Sequence, residues 1–108
     1  MELDAYQNAA RRTAIYDRRH QVIYPALGLA SEAGEVAGKV KKVLRDRDGA
    51  YGPEQIAALA DELGDVLWYV AVLAADLGLS LQAIAADNVA KLASRQERGA
   101  LGGDGDRR

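Results

Sequence analysis

Cysteine and phenylalanine are absent from the 108 residues, and histidine and tryptophan occur once each. Without cysteine there are no disulfides, no thiolate nucleophile and no sulfur-ligated zinc. The lone His20 also argues against a zinc site built on imidazoles. Any metal must therefore be held by carboxylates, and oxygen donors select a hard cation, Mg²⁺ with Mn²⁺ as a substitute. An excess of charge is lacking too: 14 basic and 16 acidic residues leave a net charge of −2. That balance offers no global attraction to a nucleic-acid polymer or an anionic membrane, so neither is an expected partner. Long hydrophobic runs are missing: the longest, Val66 to Ala75, falls far short of a membrane span. The opening MELDAYQNAARR is too polar for a signal peptide, so a cytoplasmic location is expected.

What is present is helix-forming. Hydrophobic residues make up 49% of the chain, but much of that is alanine, so the core per protomer should be thin. A chain this short with a thin core is expected to complete its burial as a homodimer or homotetramer. The pattern predicts one all-α domain over residues 1–99, a four-helix bundle completed by oligomerisation. Residues 100–108 (ALGGDGDRR) read as a flexible Gly-rich, charged tail.

Asp4 is a candidate N-cap for a first helix reaching about Asp17, with Leu3, Tyr6, Ala10 and Ala14 inward. A linker, Arg18 to Tyr24, leads to Pro25 as first residue of a second helix ending near Leu44. Gly49, Gly52 and Pro53 mark a loop. A third helix runs from about Glu54 to Leu77 and stops at Gly78. Ser80 caps a fourth, Leu81 to about Arg98.

Helix two carries Glu32-Ala-Gly-Glu35 and helix three carries Glu62-Leu-Gly-Asp65. At about 100° per residue, Leu29, Ala33, Val36, Ala37, Val40 and Leu44 share one arc of helix two. Leu59, Leu63, Val66, Leu67, Val70 and Leu77 do the same on helix three. In both helices the first acid lies roughly 80–90° from the centre of its arc, the second roughly 60° further, on the same side. Packed antiparallel, the helices would bring four carboxylates to the edge of one seam. Partial desolvation sharpens their repulsion, and a cation relieves it. The plainer reading is a solvated face, with Glu35 paired to Lys39 and Glu62 part of an ordinary acidic stretch.

Helix four presents Leu81, Ile84, Ala85 and Leu92 inward, with Asn88 in that stripe and Lys91 and Arg95 at its edge. The two cations, one turn apart, could hold phosphate oxygens opposite a metal or snorkel to solvent. Lys39, Lys41 and Lys42 form a basic run that is either a solvated face or a phosphate contact. Of Tyr6, Trp68 and Tyr69, Tyr69 is best placed to stack on a nucleobase, one turn after Asp65. His20 reads as a loop residue.

PALGLASEAGEVAGKVKKVLRD (Pro25 to Asp46), DELGDVLWYV (Asp61 to Val70) and NVAKLASRQERG (Asn88 to Gly99) resemble, in order, the signature blocks of MazG-like nucleotide pyrophosphohydrolases. The family's E-x-x-E, spacer, E-x-x-D hallmark is matched by Glu32, Glu35, Glu62 and Asp65, and its K-x-x-x-R by Lys91 and Arg95. The opening AYQNAARRTAIY is similar to the family's first helix. The resemblance implies an all-α, oligomeric, Mg²⁺-dependent enzyme cleaving a nucleoside triphosphate between the α- and β-phosphates, giving the monophosphate and pyrophosphate in nucleotide-pool house-cleaning. It implies metal binding by the four acids, Glu35 and Glu62 as the catalytic pair with Glu35 taking the proton of water, and substrate contacts from Lys91, Arg95, Asn88 and Tyr69. Two rivals remain: a phosphoribosyl-ATP pyrophosphohydrolase, which shares fold and acids, and a non-catalytic helical oligomerisation module.

Overall fold

A computed structural model describes residues 1–103, and part of the expected tail, 104–108, lies outside the described residues. All regular structure in it is helical: α1 (Leu3–Arg11), α2 (Ile23–Arg47), α3 (Pro53–Asp76) and α4 (Leu81–Glu97), with a 3-10 turn at Arg18–His20. α2 and α3 form an antiparallel hairpin, the most extensive contact in the chain. α1 lies on α3, and α4 leaves α3 at 105° to pack on α1 and α3. Neither α1 nor α4 covers α2 extensively.

The bounds of α1 and α2 differ from the sequence reading. α1 ends at Arg11 rather than near Asp17. Thr13 Oγ1 donates to Ala10 O (2.8 Å) and accepts from Trp68 Nε1 (2.8 Å), which ties the chain to α3 before another turn can form. Asp4 does not cap α1, because it already lies within the helix. Its carboxylate instead accepts from Ser80 Oγ (2.9 Å) and Gln82 N (3.1 Å), reinforcing Ser80 at the start of α4. α2 begins at Ile23, two residues before Pro25, and runs to Arg47. Pro25 is tolerated within the first turn because its missing N–H has no helical acceptor there. α3 opens on Pro53, with Gln55 Oε1 accepting from Gly52 N (3.0 Å). It closes at Gly78, where φ is +73°.

Between α1 and α2 the chain passes through an unusual residue. Val22 has φ +68°, ψ −56°, and Ile23 N donates to Gln21 O at 2.8 Å. This is a γ-turn on a β-branched residue, a strained conformation. Asp76 holds it, accepting from Val22 N (2.9 Å) and from Tyr16 Oη (2.7 Å).

The core is small. Ala10, Ala71, Val72 and Leu81 form its centre, surrounded by Leu3, Tyr6, Ala14, Tyr16, Trp68, Tyr69 and Val70. The arcs read from the sequence are wider than their partners. Val43, not Leu44, is buried on α2, while Leu44, Val89 and Leu63 are 68%, 65% and 57% exposed. The radius of gyration is 16.7 Å, against about 13 Å for a compact chain of this length. A single protomer therefore leaves much of its apolar surface uncovered. Among the described residues, no single helix is long and apolar enough to cross a membrane.

Candidate metal centre

Glu32 on α2 and Glu62 and Asp65 on α3 meet across the hairpin. Each offers a carboxylate oxygen, and the three oxygens lie within 4.8 Å of one another. Antiparallel packing explains the focus: Glu62 and Asp65, three residues apart, share one face of α3, and Glu32 faces them from α2. Glu35 is outside this trio. It sits one turn along α2, exposed, although its charge is felt at Glu32.

The acids are not equivalent. Glu32 is half-buried, and its pKa is raised above the ordinary carboxylate range. Partial burial is the main cause, followed by a hydrogen bond with Glu62 and the charges of Asp65, Glu62 and Glu35. Repulsion in the trio is thus real, and it is only partly relieved. Lys39 Nζ reaches Glu62 Oε1 at 3.5 Å. The plainer reading of the sequence, a solvated face, paired Lys39 with Glu35, but in the fold this lysine points across to α3. One ammonium against three carboxylates leaves the cluster anionic. Its donors are all hard oxygens, the set that suits Mg²⁺ or Mn²⁺.

Tyr69 adjoins the trio. A Cβ on Gly28 would collide with its ring, so Gly28 leaves the space in which Tyr69 packs on α2. The ring also meets Tyr24 (6.4 Å between centroids) and Trp68 (4.9 Å, edge-on), and Tyr24 stacks on Tyr16 at 4.8 Å. The pKa of Tyr69 is raised by burial first, then by its hydrogen bond with Tyr24 and the charges of Tyr24, Glu32 and Asp65. Tyr6 on α1 is raised by burial and by Asp65, which places it beside the same acids.

The residues expected on helix four are carried by α4. Asn88 and Lys91 are exposed and line a shallow cleft with Ile84 and Asp87. Arg95 is 3% exposed. α4 packs on α1 and α3, whereas Glu32 is on α2. Sequence reasoning missed Gly28, Tyr24 and the partner of Lys39. The one available signal was spacing: Tyr24, Gly28 and Glu32 recur every four residues on α2.

Residues 19–99 match the MazG nucleotide pyrophosphohydrolase domain. The chain belongs to that family. It is 47% identical over 114 residues to "Gene 37 protein" of Mycobacterium phage L5, covering the whole of both chains. No solved structure matches. Membership in the MazG family brings with it an all-α fold and a pyrophosphohydrolase-type activity. In this MazG domain the acids of the hallmark are those of the trio, plus Glu35.

Proposed function

We propose that this MazG domain hydrolyses nucleoside or deoxynucleoside triphosphates between the α- and β-phosphates, releasing the monophosphate and pyrophosphate. The observation that carries this reading is the meeting of Glu32, Glu62 and Asp65 within 4.8 Å. Mg²⁺, held by those three with Glu35 beside them, would neutralise phosphate charge and lower the pKa of a bound water. Glu35, outside the tight focus and open to solvent, is the carboxylate available to accept the proton of the attacking water. Glu62 orients the cluster from α3 and holds Lys39 next to it. Tyr69, fixed between Gly28, Tyr24 and Trp68, bounds the nucleoside side of the site. Asn88 and Lys91 remain phosphate ligands in this proposal, presented by another protomer of a homodimer or homotetramer, while Arg95, buried in its own protomer, positions that face of α4 rather than reaching across. The exposed Leu63, Leu67, Leu44 and Val89 supply apolar surface for that assembly. A role in clearing nucleotides from the cytoplasmic pool fits such chemistry.

The test is pyrophosphate release from a panel of NTPs and dNTPs, with and without Mg²⁺ or Mn²⁺. Turnover should require the metal and fall ~10²–10⁴-fold in Glu35→Gln, with Asp65→Asn also inactive and both variants still helical. Near-normal rates in either variant would overturn the site. Activity confined to phosphoribosyl-ATP would select that rival, and no turnover of any nucleotide the non-catalytic scaffold.

A further inference from the structure

The acid trio lies between two unlike ends of the α2–α3 hairpin. Toward the start of α2 and the end of α3 stand the aromatic rings of Tyr24, Trp68 and Tyr69. Toward the end of α2 and the start of α3 lies a groove of about 240 Å³. Its floor is apolar, built from Val43, Ala58 and Leu59, and its rim carries Lys39, Lys42 and Arg47. Lys39 belongs to both features: it lines the groove, and its Nζ is 3.5 Å from Glu62 Oε1. Lys39 thus links the groove to the carboxylates, although none of the three acids lines it.

We propose that this groove receives the pyrophosphate half of the substrate, with Lys39 and Lys42 as its cationic contacts. The proposal rests on the triphosphatase reading above and gives that site a direction. Cleavage between the α- and β-phosphates divides the substrate into a base-bearing half with one phosphate and a half carrying most of the charge. Rings at one end and ammonium groups at the other match those halves. Lys39 lies seven residues beyond Glu32, about 10 Å along the helix, and its side chain folds back to the acids. Lys42 is three residues further, on the same face, so the two can contact successive phosphates. Two acids also border the groove, Asp46 and Glu54. Asp46 is engaged by Arg45, at 2.7 and 2.8 Å. Arg47 is held by Ala50 O (2.8 Å) and forms the wall rather than a free contact. That leaves Lys42 as the diagnostic residue. It is exposed, it forms no ion pair with the trio among the described residues, and its charge is felt at Asp46 on the same rim.

The experiment is calorimetric titration of the full chain with inorganic pyrophosphate at fixed ionic strength, in EDTA and separately with Mg²⁺. Lys42→Ala should weaken pyrophosphate binding about tenfold, the size of one charge-assisted contact. Lys42→Arg should restore it, and binding of a nucleoside monophosphate should not change. Lys41→Ala removes the same charge outside the groove and should leave pyrophosphate affinity intact. No saturable binding in either condition, equal losses in Lys41→Ala and Lys42→Ala, or an equal loss of monophosphate affinity would each overturn the groove. If triphosphates are hydrolysed while Lys42→Ala keeps full pyrophosphate affinity, the groove fails and the proposed function stands. If no nucleotide is turned over but Lys42→Ala still loses pyrophosphate selectively, the groove stands and the function fails.

Discussion

The ring of Tyr69 on α3 fills the space where a side chain at Gly28 of α2 would begin. The two residues lock the hairpin together one turn from Glu32. Alanine is normally favoured over glycine inside a helix by about 1 kcal/mol. Here Gly28→Ala should instead destabilise by about 1–3 kcal/mol, because the added methyl overpacks the contact. In a Tyr69→Ala background the same change should become neutral or stabilising. Urea midpoints of the four variants measure this, and a stabilised Gly28→Ala single variant would rule the lock out.

Gln7 is buried in α1, where its side chain bonds three backbone groups at once. Nε2 donates to Ala71 O (3.2 Å) and Leu79 O (2.9 Å), while Oε1 accepts from Leu81 N (3.1 Å). This one amide satisfies the turn between α3 and α4. Gln7→Leu preserves bulk but strands those backbone groups, and it should cost about 2–4 kcal/mol. A loss below about 0.5 kcal/mol in chemical denaturation, the range of a neutral surface change, would mean water replaces the amide.

The helices were legible because their signals are local: Gly49, Gly52 and Pro53 marking the loop between α2 and α3, Gly78 after α3 and Ser80 before α4. The acids were legible because i,i+3 spacing survives any packing of α2 on α3. Partners across helices were not. Nothing in sequence spacing says that Asp4 caps α4 rather than α1, or that Lys39 reaches Glu62 instead of Glu35. The end of α1 was misplaced for the same reason, since Thr13 and Tyr16 answer to Trp68 and Asp76, more than fifty residues away. The apolar arcs were read too broadly: Leu44, Leu63 and Leu77 are more than half exposed, while Val43, outside the arc read for α2, is buried.

Glu32 offers a test of the electrostatics that is independent of turnover. Its folded pKa is raised, so the stability it contributes is present below the ordinary glutamate value and is lost as pH rises through the folded one. Asp17 and Asp46, whose pKa values are lowered, contribute with the opposite sign, so the Glu32 contribution is read as a difference: metal-free parent should lose stability relative to Glu32→Gln on going from acid toward neutral pH. At pH 7 the variant should melt higher than the metal-free parent. Added Mg²⁺ should raise the Tm of the parent more than that of the variant, since binding to the native state alone stabilises it. Identical melting curves for both, with and without the ion, would mean that Glu32 bears no repulsive charge and holds no metal.

Asp76 is the anchor for the strained link between α1 and α2, and Tyr16 is its clearest reporter. Burial is the first cause of the raised Tyr16 pKa, and the hydrogen bond to Asp76 the second. The unfolded chain ionises this phenol near pH 10. The contribution of Tyr16 is thus complete below about pH 10 and lost as the pH climbs toward the folded value. At pH 7, Tyr16→Phe should cost about 1–2 kcal/mol, leaving Asp76 with Val22 N alone. Above pH 10 the gap between the two proteins should close. Tyr6 and Tyr69 are raised as well, so both proteins weaken in alkali, and the difference between them isolates Tyr16. Urea midpoints taken from pH 7 to 11 supply it. Parallel curves across that range would show that the phenol–carboxylate contact does not hold the link in place.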